Sequence, residues 1–322
     1  MLLLLLLAGC PLPKSSDSDE PTEDTCDAEA ETFSPTAPDR LDALWVIDNS
    51  ISMREEQTKV ADAAQAFFDA LGGADAQVAV LTTDVSADNP QAGALLGSPA
   101  VLTDDAEAFA DRMAMGTGGS DQESGLEAAW LAITPPLADT VNAGFLRAGA
   151  RFAVIAVSDE NNCSDGGAFG EEATGEDCYT HYEDLVPVEE MVAAYQDVVA
   201  DVRVSGIIGP EIIGANCEDT VPGRRYAEAI DLTGGARGDI CATGYDTAMT
   251  AIAAASLGPS VRFVLVGSPD PATLNVEVDG VPVARDDEDG WTWEAPAIVF
   301  HGEAGPELGQ AITVAYAPAA CD

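Results

Sequence analysis

The sequence predicts an α/β protein whose main domain is built on a doubly wound, mainly parallel sheet, followed by a small all-β region. Between residues 40 and 258, apolar runs alternate with amphipathic helical patterns, which is typical of strands covered by helices on both faces. From Pro259 onward the apolar runs are short and are separated by Gly, Pro and Asp turns. We therefore place the α/β domain at 40–258 and the β region at 259–322.

The strand that opens the α/β domain is the most informative stretch of the chain. Leu44-Trp45-Val46-Ile47 is an uninterrupted apolar run, as expected for a strand buried on both faces. It ends in Asp48-Asn49-Ser50-Ile51-Ser52, and ligands of such sheets bind beyond the carboxyl ends of the strands. The oxygens of Asp48, Ser50 and Ser52 suit hard cations. A Ser- and Asp-rich helix cap is the alternative interpretation.

The remaining elements of the α/β domain follow from apolar periodicity. Further strands are predicted at 76–83, 152–157, 202–209 and 239–241, with a short strand at 101–102. Helices are predicted at about 53–71, over some ten residues after 104, after the Gly-rich loop that begins at Gly116, and at 187–201, 225–232 and 245–256.

Two later segments add polar side chains at comparable positions. A Gly-rich loop reaches Ser120 just before an Ala- and Leu-rich helical pattern, and Ser120-x-x-Glu123 also fits a capping box. The apolar run at 152–157 ends in Ser158-Asp159-Glu160. Because parallel strands present their carboxyl ends at one edge of a sheet, we expect Asp159 to lie near the first polar segment.

Together the three segments resemble the metal-ion-dependent adhesion site of von Willebrand factor type A domains. The resemblance implies a sheet of six main strands with one antiparallel edge. It also implies a cation ligand set of Asp48, Ser50, Ser52, Ser120 and Asp159, with Thr117 as the alternative to Ser120 if the loop is shifted. The expected cofactor is a divalent cation, Mg²⁺ before Mn²⁺ or Ca²⁺, and the expected partner is a protein that offers an Asp or Glu carboxylate to it.

The β region contains several short apolar runs, and Asp279-Gly280 between two of them is a two-residue hairpin signal. Strands are predicted at 261–266, 274–278, 281–284, 291–294, 297–300 and 312–316. The region resembles the β extension that follows such domains in some bacterial surface lipoproteins, and the sequence assigns it no role.

The N-terminus predicts export and lipid anchoring. Residues 1–9 are interpreted as a lipoprotein signal peptide, because Leu7-Ala8-Gly9-Cys10 resembles a bacterial lipobox, although no Lys or Arg precedes the apolar run. Cys10 would be the lipidated residue, and Pro11 after it favours the outer membrane. Residues 10–39 are acidic and poor in large apolar groups, which predicts a disordered tether.

The cysteine content agrees with export. Seven cysteines less Cys10 leave six, and an even number in an exported chain predicts disulfides. Six cysteines allow fifteen pairings. We expect one bond to close the long acidic loop after Asp159, one to tie a loop to the last edge strand, and one to join the tether to the C-terminus: Cys163–Cys178, Cys217–Cys241 and Cys26–Cys321. Zinc is disfavoured because no Cys-x-x-Cys occurs.

Composition and missing motifs exclude several functions. The net charge of −44 argues against nucleic acid and anionic membrane surfaces as partners. No Gly-x-Ser-x-Gly and no Gly-x-x-x-x-Gly-Lys occurs, and two histidines give little support to a catalytic triad. We therefore expect a non-enzymatic surface lipoprotein that binds a partner protein through a cation. A structural or assembly component of an envelope complex with a vestigial metal site is the alternative.

Overall fold

The computed structural model describes residues 28–86, 88–170, 174–214, 217 and 220–319. Its strands are β1 Glu29–Phe33, β2 Leu41–Ile47, β3 Ala76–Thr82, β4 Arg151–Ser158, β5 Val202–Ile208, β6 Arg237–Asp239, β7 Arg262–Val264, β8 Asn275–Val278, β9 Val281–Pro282, β10 Trp291–Glu294, β11 Ala297–Phe300 and β12 Ile312–Tyr316. Its α-helices are α1 Arg54–Asp62, α2 Ala64–Leu71, α3 Ala106–Arg112, α4 Gly125–Ile133, α5 Asp177–Thr180, α6 Val188–Val198, α7 Arg224–Thr233 and α8 Asp246–Leu257.

The main sheet has five strands in the order β3-β2-β4-β5-β6, and every pair in it is parallel. Helices α1, α2, α3 and α8 cover one face, and α4, α6 and α7 cover the other. Strand β2 alternates between the two cores: Trp45 lies with Phe67 and Phe109 on the first face, whereas Leu44 and Val46 lie on the second. The doubly wound α/β architecture predicted from the apolar runs is confirmed.

The prediction of six main strands with an antiparallel edge is wrong for the described residues. Leu102 forms a single antiparallel bridge with Val78, with N–H···O distances of 2.8 and 2.9 Å in the two directions. The pairing stops there because the next carbonyls have other partners: that of Val80 accepts from the Leu96 N–H, and that of Ala100 accepts from Arg112. On the other side of the bridge, Asp104 turns the chain with a φ of 48°. The expected edge strand is therefore reduced to one residue.

The β region consists of two small antiparallel sheets, ordered β1-β12-β8-β9 and β10-β11-β7. They share one hydrophobic core, in which Trp291 and Phe300 are almost fully buried. All six strands predicted after residue 260 are present, and three of them are shorter than predicted.

The prediction of a tether over residues 10–39 extends too far along the chain. Glu29–Phe33 forms β1 and pairs with β12 over its whole length, from Glu29 opposite Tyr316 to Phe33 opposite Ile312. Its sequence carries few apolar groups because it is an edge strand that directs mainly Phe33 toward the core, where the Phe33 ring lies 5.6 Å from that of Phe263. Within Glu29–Phe33, the polar composition belongs to the exposed face of a strand.

Two of the three expected disulfides are confirmed. Cys163 is bonded to Cys178 and closes the long loop after β4, and Cys217 is bonded to Cys241, just after β6. The predicted partners Cys26 and Cys321, like the lipidation site Cys10, lie outside the described residues. Within the part of the chain that is described, no helix has both the length and the apolar character needed to cross a membrane.

Strand β1 gives a direct test of the corrected boundary. A chain that begins at Ser34 lacks β1 and exposes the edge of β12 and the ring of Phe263, so we expect its β region to lose about 2 kcal/mol of unfolding free energy. A chain that begins at Ala28 keeps β1 and is the matched control. Denaturant unfolding of the two chains should show a lower midpoint for the shorter one, and equal midpoints would mean that β1 contributes nothing to stability.

Candidate metal centre

The carboxyl ends of β2 and β4 bring together the two acids predicted as cation ligands. Ile47 is in register with Val157, and the Asp48 N–H donates to the Val157 carbonyl at 2.9 Å. Asp48 therefore begins where β2 ends, next to Asp159 after β4. Because β2 pairs with β3 on one side and β4 on the other, the chain order reverses here, which is the usual ligand position in such sheets.

The Asp48-x-Ser50-x-Ser52 segment folds back on its own carboxylate. The Ser50 N–H donates to Asp48 Oδ1 at 2.8 Å, and the Ser158 hydroxyl donates to Asp48 Oδ2 at 2.6 Å. The hydroxyls of Ser50 and Ser52 are 3.1 Å apart. Ser50 precedes a short 3₁₀ turn, yet its side chain makes no capping hydrogen bond. The hydroxyls are thus not occupied as helix caps.

The Gly-rich loop runs directly against this segment and carries Ser120. The Gly119 N–H donates to the Asn49 carbonyl at 3.0 Å, and a Cβ at Gly119 would collide with the Asn49 side chain. The Ser120 N–H lies 3.3 Å from Asp84 Oδ2. Thr117, the alternative ligand, instead lines a separate cleft beside α1 and α3. The loop therefore brings Ser120, rather than Thr117, to the side of the sheet edge where Asn49 lies.

The sequence interpretation of Glu123 as part of a capping box is wrong. Helix α4 begins at Gly125 with Ser124 as its N-cap, so Ser120 is not at the cap position. The Glu123 side chain is only 1% exposed, accepts a hydrogen bond from the Thr83 hydroxyl and contacts the Asp48 carboxyl. The available signal was an acid directly before an apolar helix, and that signal is shared with any capped helix start.

Burial and mutual repulsion raise the pKa values of the acids at this edge. Burial, followed by the charge of Asp48, raises the pKa of Asp159 to about 7, and the same two causes raise the pKa of Glu160 to about 7. Burial raises the pKa of Asp48, and burial together with Asp48 raises the pKa of Glu123 well above its usual range. Among the described residues, none of these four acids forms an ion pair with Lys, Arg or His.

Several oxygens at the site fit a divalent cation. Asn49 Oδ1, Glu123 Oε1 and Asp159 Oδ1 are buried and have no hydrogen-bond partner in the described structure. Buried polar atoms are normally satisfied, so orphan oxygens beside hydroxyls and carboxylates match the ligands that Mg²⁺ and Ca²⁺ take. In the described ranges, no group of three or more His, Cys, Asp or Glu residues is placed to hold a metal ion. A cation here would therefore depend on hydroxyl ligands, as the predicted set does.

An open cleft adjoins the site. It has a volume of about 700 Å³ and is lined by Asn49, Ser120, Asp84, Asp111 and Arg112, among others. The Arg112 guanidinium is engaged by the carbonyls of Pro99 and Ala100. On the outer side of the same segment, Ile51 is 83% exposed between the two serines. The edge thus offers both a recess and an exposed apolar contact.

Comparison with known proteins gives only distant similarity. No family model matches the chain, and no curated protein is significantly similar to it. Solved structures with similar chains include a von Willebrand factor type A protein from Catenulispora acidiphila, with 14% identity over 92% of this chain and 66% of that chain and a TM-score of 0.41. Another is the human COPII-coat protein Sec24c, with 11% identity over 91% of this chain and 42% of that chain and a TM-score of 0.40. The pilus adhesin SpaC from Lactobacillus rhamnosus GG is a third, with 10% identity over 91% of this chain and 41% of that chain and a TM-score of 0.36.

The chain spans less than two thirds of the length of each of these structures. At this identity and TM-score the similarity carries no inference about the function of this chain.

The raised pKa values predict a pH dependence of stability in the absence of divalent cations. An acid whose pKa is higher in the folded state stabilises the fold at low pH, and this stabilisation is lost as pH rises. For Asp159 and Glu160 the loss falls between about pH 4 and pH 7. We expect the melting temperature of the cation-free protein to fall across this range, and the Asp159→Asn plus Glu160→Gln variant to show a smaller fall.

The matched control is Asp287→Asn plus Glu288→Gln, which removes the same charge from two exposed acids of the β region. This control separates local burial from the repulsion of the whole acidic surface. If both double variants flatten the curve equally, the pH dependence arises from net charge rather than from the candidate site.

Proposed function

We propose that this chain is a cation-dependent protein-binding module of a bacterial surface lipoprotein. One observation carries the proposal: Asp48 and Asp159 are buried side by side with raised pKa values, have no cationic partner among the described residues, and adjoin the paired hydroxyls of Ser50 and Ser52. Such an arrangement is costly when both acids are ionised, and a bound cation would compensate this cost. The resemblance of the motif to a metal-ion-dependent adhesion site supports the same conclusion.

Two kinds of residue would hold the cation and leave one of its coordination positions open. Ser50, Ser52 and Ser120 would supply neutral oxygens, and Asp48 and Asp159 would act mainly through water, as the resemblance implies. When bound, a divalent cation with few charged ligands offers an electrophilic open position to an incoming carboxylate. Ser158 and the Ser50 N–H hold the Asp48 carboxylate in place for this role. The proposed ligand is an Asp or Glu side chain of a partner protein, with Mg²⁺ as the first candidate cation.

The surface around the site supports a protein partner. Ile51 presents an apolar side chain to solvent between Ser50 and Ser52, where a partner that reaches the cation would contact it. The adjoining cleft leaves room for neighbouring side chains of the partner. The strongly acidic surface favours a partner whose contact face is not itself strongly acidic.

A structural or assembly role in an envelope complex is the second candidate. In that case the metal site would be vestigial. Under this alternative the chain would bind its neighbours equally well with and without divalent cations. We propose no enzymatic activity.

The central test removes two neutral oxygens without changing the charge. Ser50→Ala plus Ser52→Ala should abolish the specific divalent-cation site, because two of its proposed ligands are lost, while the fold is retained. Isothermal titration with Mg²⁺ should show at least about tenfold weaker binding than the wild type. Weak binding by the acidic surface should remain, since the net charge is the same.

The same variants separate cation binding from partner binding. In capture from an envelope extract, the wild type should retain a partner with Mg²⁺ and lose it with EDTA, and the double serine variant should not retain it. Ile51→Ser should keep cation binding but weaken partner capture. An unaltered Mg²⁺ titration in the double variant would contradict the metal site. Partner capture that is the same with Mg²⁺ and with EDTA would favour the structural role.

The lipid anchor is a further part of the proposal and rests on Leu7-Ala8-Gly9-Cys10 alone. Cys10→Ala removes the proposed acylation site, so the variant should appear in the soluble fraction or accumulate unprocessed. Membrane fractionation and intact-mass measurement check this expectation. A variant that stays in the outer membrane, and whose mass differs from the wild type only by the exchange of Cys for Ala, would show that Cys10 is not lipidated.

A further inference from the structure

Glu123 is a buried acid that neither the motif nor the helix cap explains. It lies just before α4 and is 1% exposed. The Thr83 hydroxyl donates to its Oε2, whereas its Oε1 has no hydrogen-bond partner in the described structure. Its carboxyl also contacts that of Asp48. A second carboxylate thus lies directly behind the acid that begins the proposed cation site.

Two carboxylates in contact are unfavourable when both are ionised. Each can then only accept hydrogen bonds, and burial in a medium of low dielectric strengthens their repulsion. None of the ion pairs of the described residues reaches either acid. The pair is relieved either by one proton that the two carboxyls share or by a hydrogen-bond donor that is itself polarised by positive charge.

We propose that Glu123 is a positioning residue of the cation centre, and that its Oε1 accepts a hydrogen bond from a cation-bound water that Asp48 also holds. This inference rests on the proposed function and adds Glu123 to its residues. A water on a cation has two O–H groups that point away from the ion, so it can donate to two adjacent carboxylates. Mg²⁺ keeps several such waters in protein sites, and the partners of metal ligands strongly affect affinity.

Neighbouring hydrogen-bond donors fix the orientation of both carboxylates, Asp48 and Glu123. Ser50 N–H and the Ser158 hydroxyl orient Asp48 through one oxygen each, and the Thr83 hydroxyl orients Glu123 through Oε2. Thr83 follows β3, Asp48 follows β2 and Ser158 ends β4. Three adjacent parallel strands thus supply the groups that orient the pair.

One other donor lies close to Glu123. The Tyr226 hydroxyl is buried near Gly125 without a hydrogen-bond partner in the described structure. Burial, followed by the charges of Glu123 and Asp48, raises the pKa of Tyr226. If Tyr226 were the donor to Glu123, the pair would be a structural contact independent of the cation. Tyr226→Phe would then remove the effect of Glu123, and cation binding would not change in either variant.

The test compares Glu123→Gln with Glu127→Gln in the full chain. Both variants remove one carboxylate from the same helix region, but Glu127 is directed to the loop at Gly166. With Mg²⁺ alone as the probe, titration calorimetry should show about tenfold weaker binding for Glu123→Gln and wild-type binding for Glu127→Gln. Without cations, Glu123→Gln should melt at a higher temperature, because its amide donates to Asp48, and Mg²⁺ should raise its melting temperature less.

The outcomes are distinguishable from failure of the proposed function. Wild-type protein without a specific Mg²⁺ site would overturn both the proposed function and this inference. If Glu123→Gln binds Mg²⁺ with the affinity of the wild type, this inference alone is overturned. The same holds if Mg²⁺ raises the melting temperatures of the two proteins equally. If Glu123→Gln does not fold, Thr83→Val removes the donor to Oε2 and should weaken Mg²⁺ binding several-fold. Unchanged affinity in that variant would also overturn the inference.

Discussion

The parallel pairing of β2 with β4 is the interaction on which the candidate site depends. Its register aligns Ile47 with Val157, so the first polar residues of both chain segments emerge at one edge of the sheet. A slip of one residue would direct the strand residues to the opposite faces and separate the acids. The two hydrophobic cores on either side of β2 fix this register, because Trp45 and its neighbours can be buried only in one arrangement.

The same edge of the sheet brings four acidic side chains together, which is electrostatically unfavourable. Asp48, Glu123, Asp159 and Glu160 are held close together with raised pKa values, and the described residues provide no positive side chain to compensate them. Buried and strained polar groups of this kind persist where the rest of the fold supplies enough stability. A positive charge bound at this edge would offset that cost, which is the physical basis of the proposed cation dependence.

Strand β1 changes how the chain is organised outside the α/β domain. It pairs with β12 near the C-terminus, and the chain enters the main sheet only at Leu41. Residues before β1, including the proposed lipidation site, are thus joined to the β region rather than directly to the domain that carries the site. The β region acquires a structural role in connecting the start of the chain to the α/β domain.

The sequence by itself determined the α/β class, most strand and helix positions, two disulfides and the polar segments at the strand ends, because apolar periodicity and residue type act locally. It also identified Asp48, Ser50, Ser52 and Asp159 as neighbours, since parallel strands share an edge. Tertiary structure decided the rest. The polar segment of β1 is a strand only because β12 offers it an edge, the sixth strand is reduced to one bridge by the turns around Leu102, and Glu123 acquires its environment from Thr83 and Asp48. The first and the last of these depend on contacts between residues far apart in the chain, which no local pattern encodes.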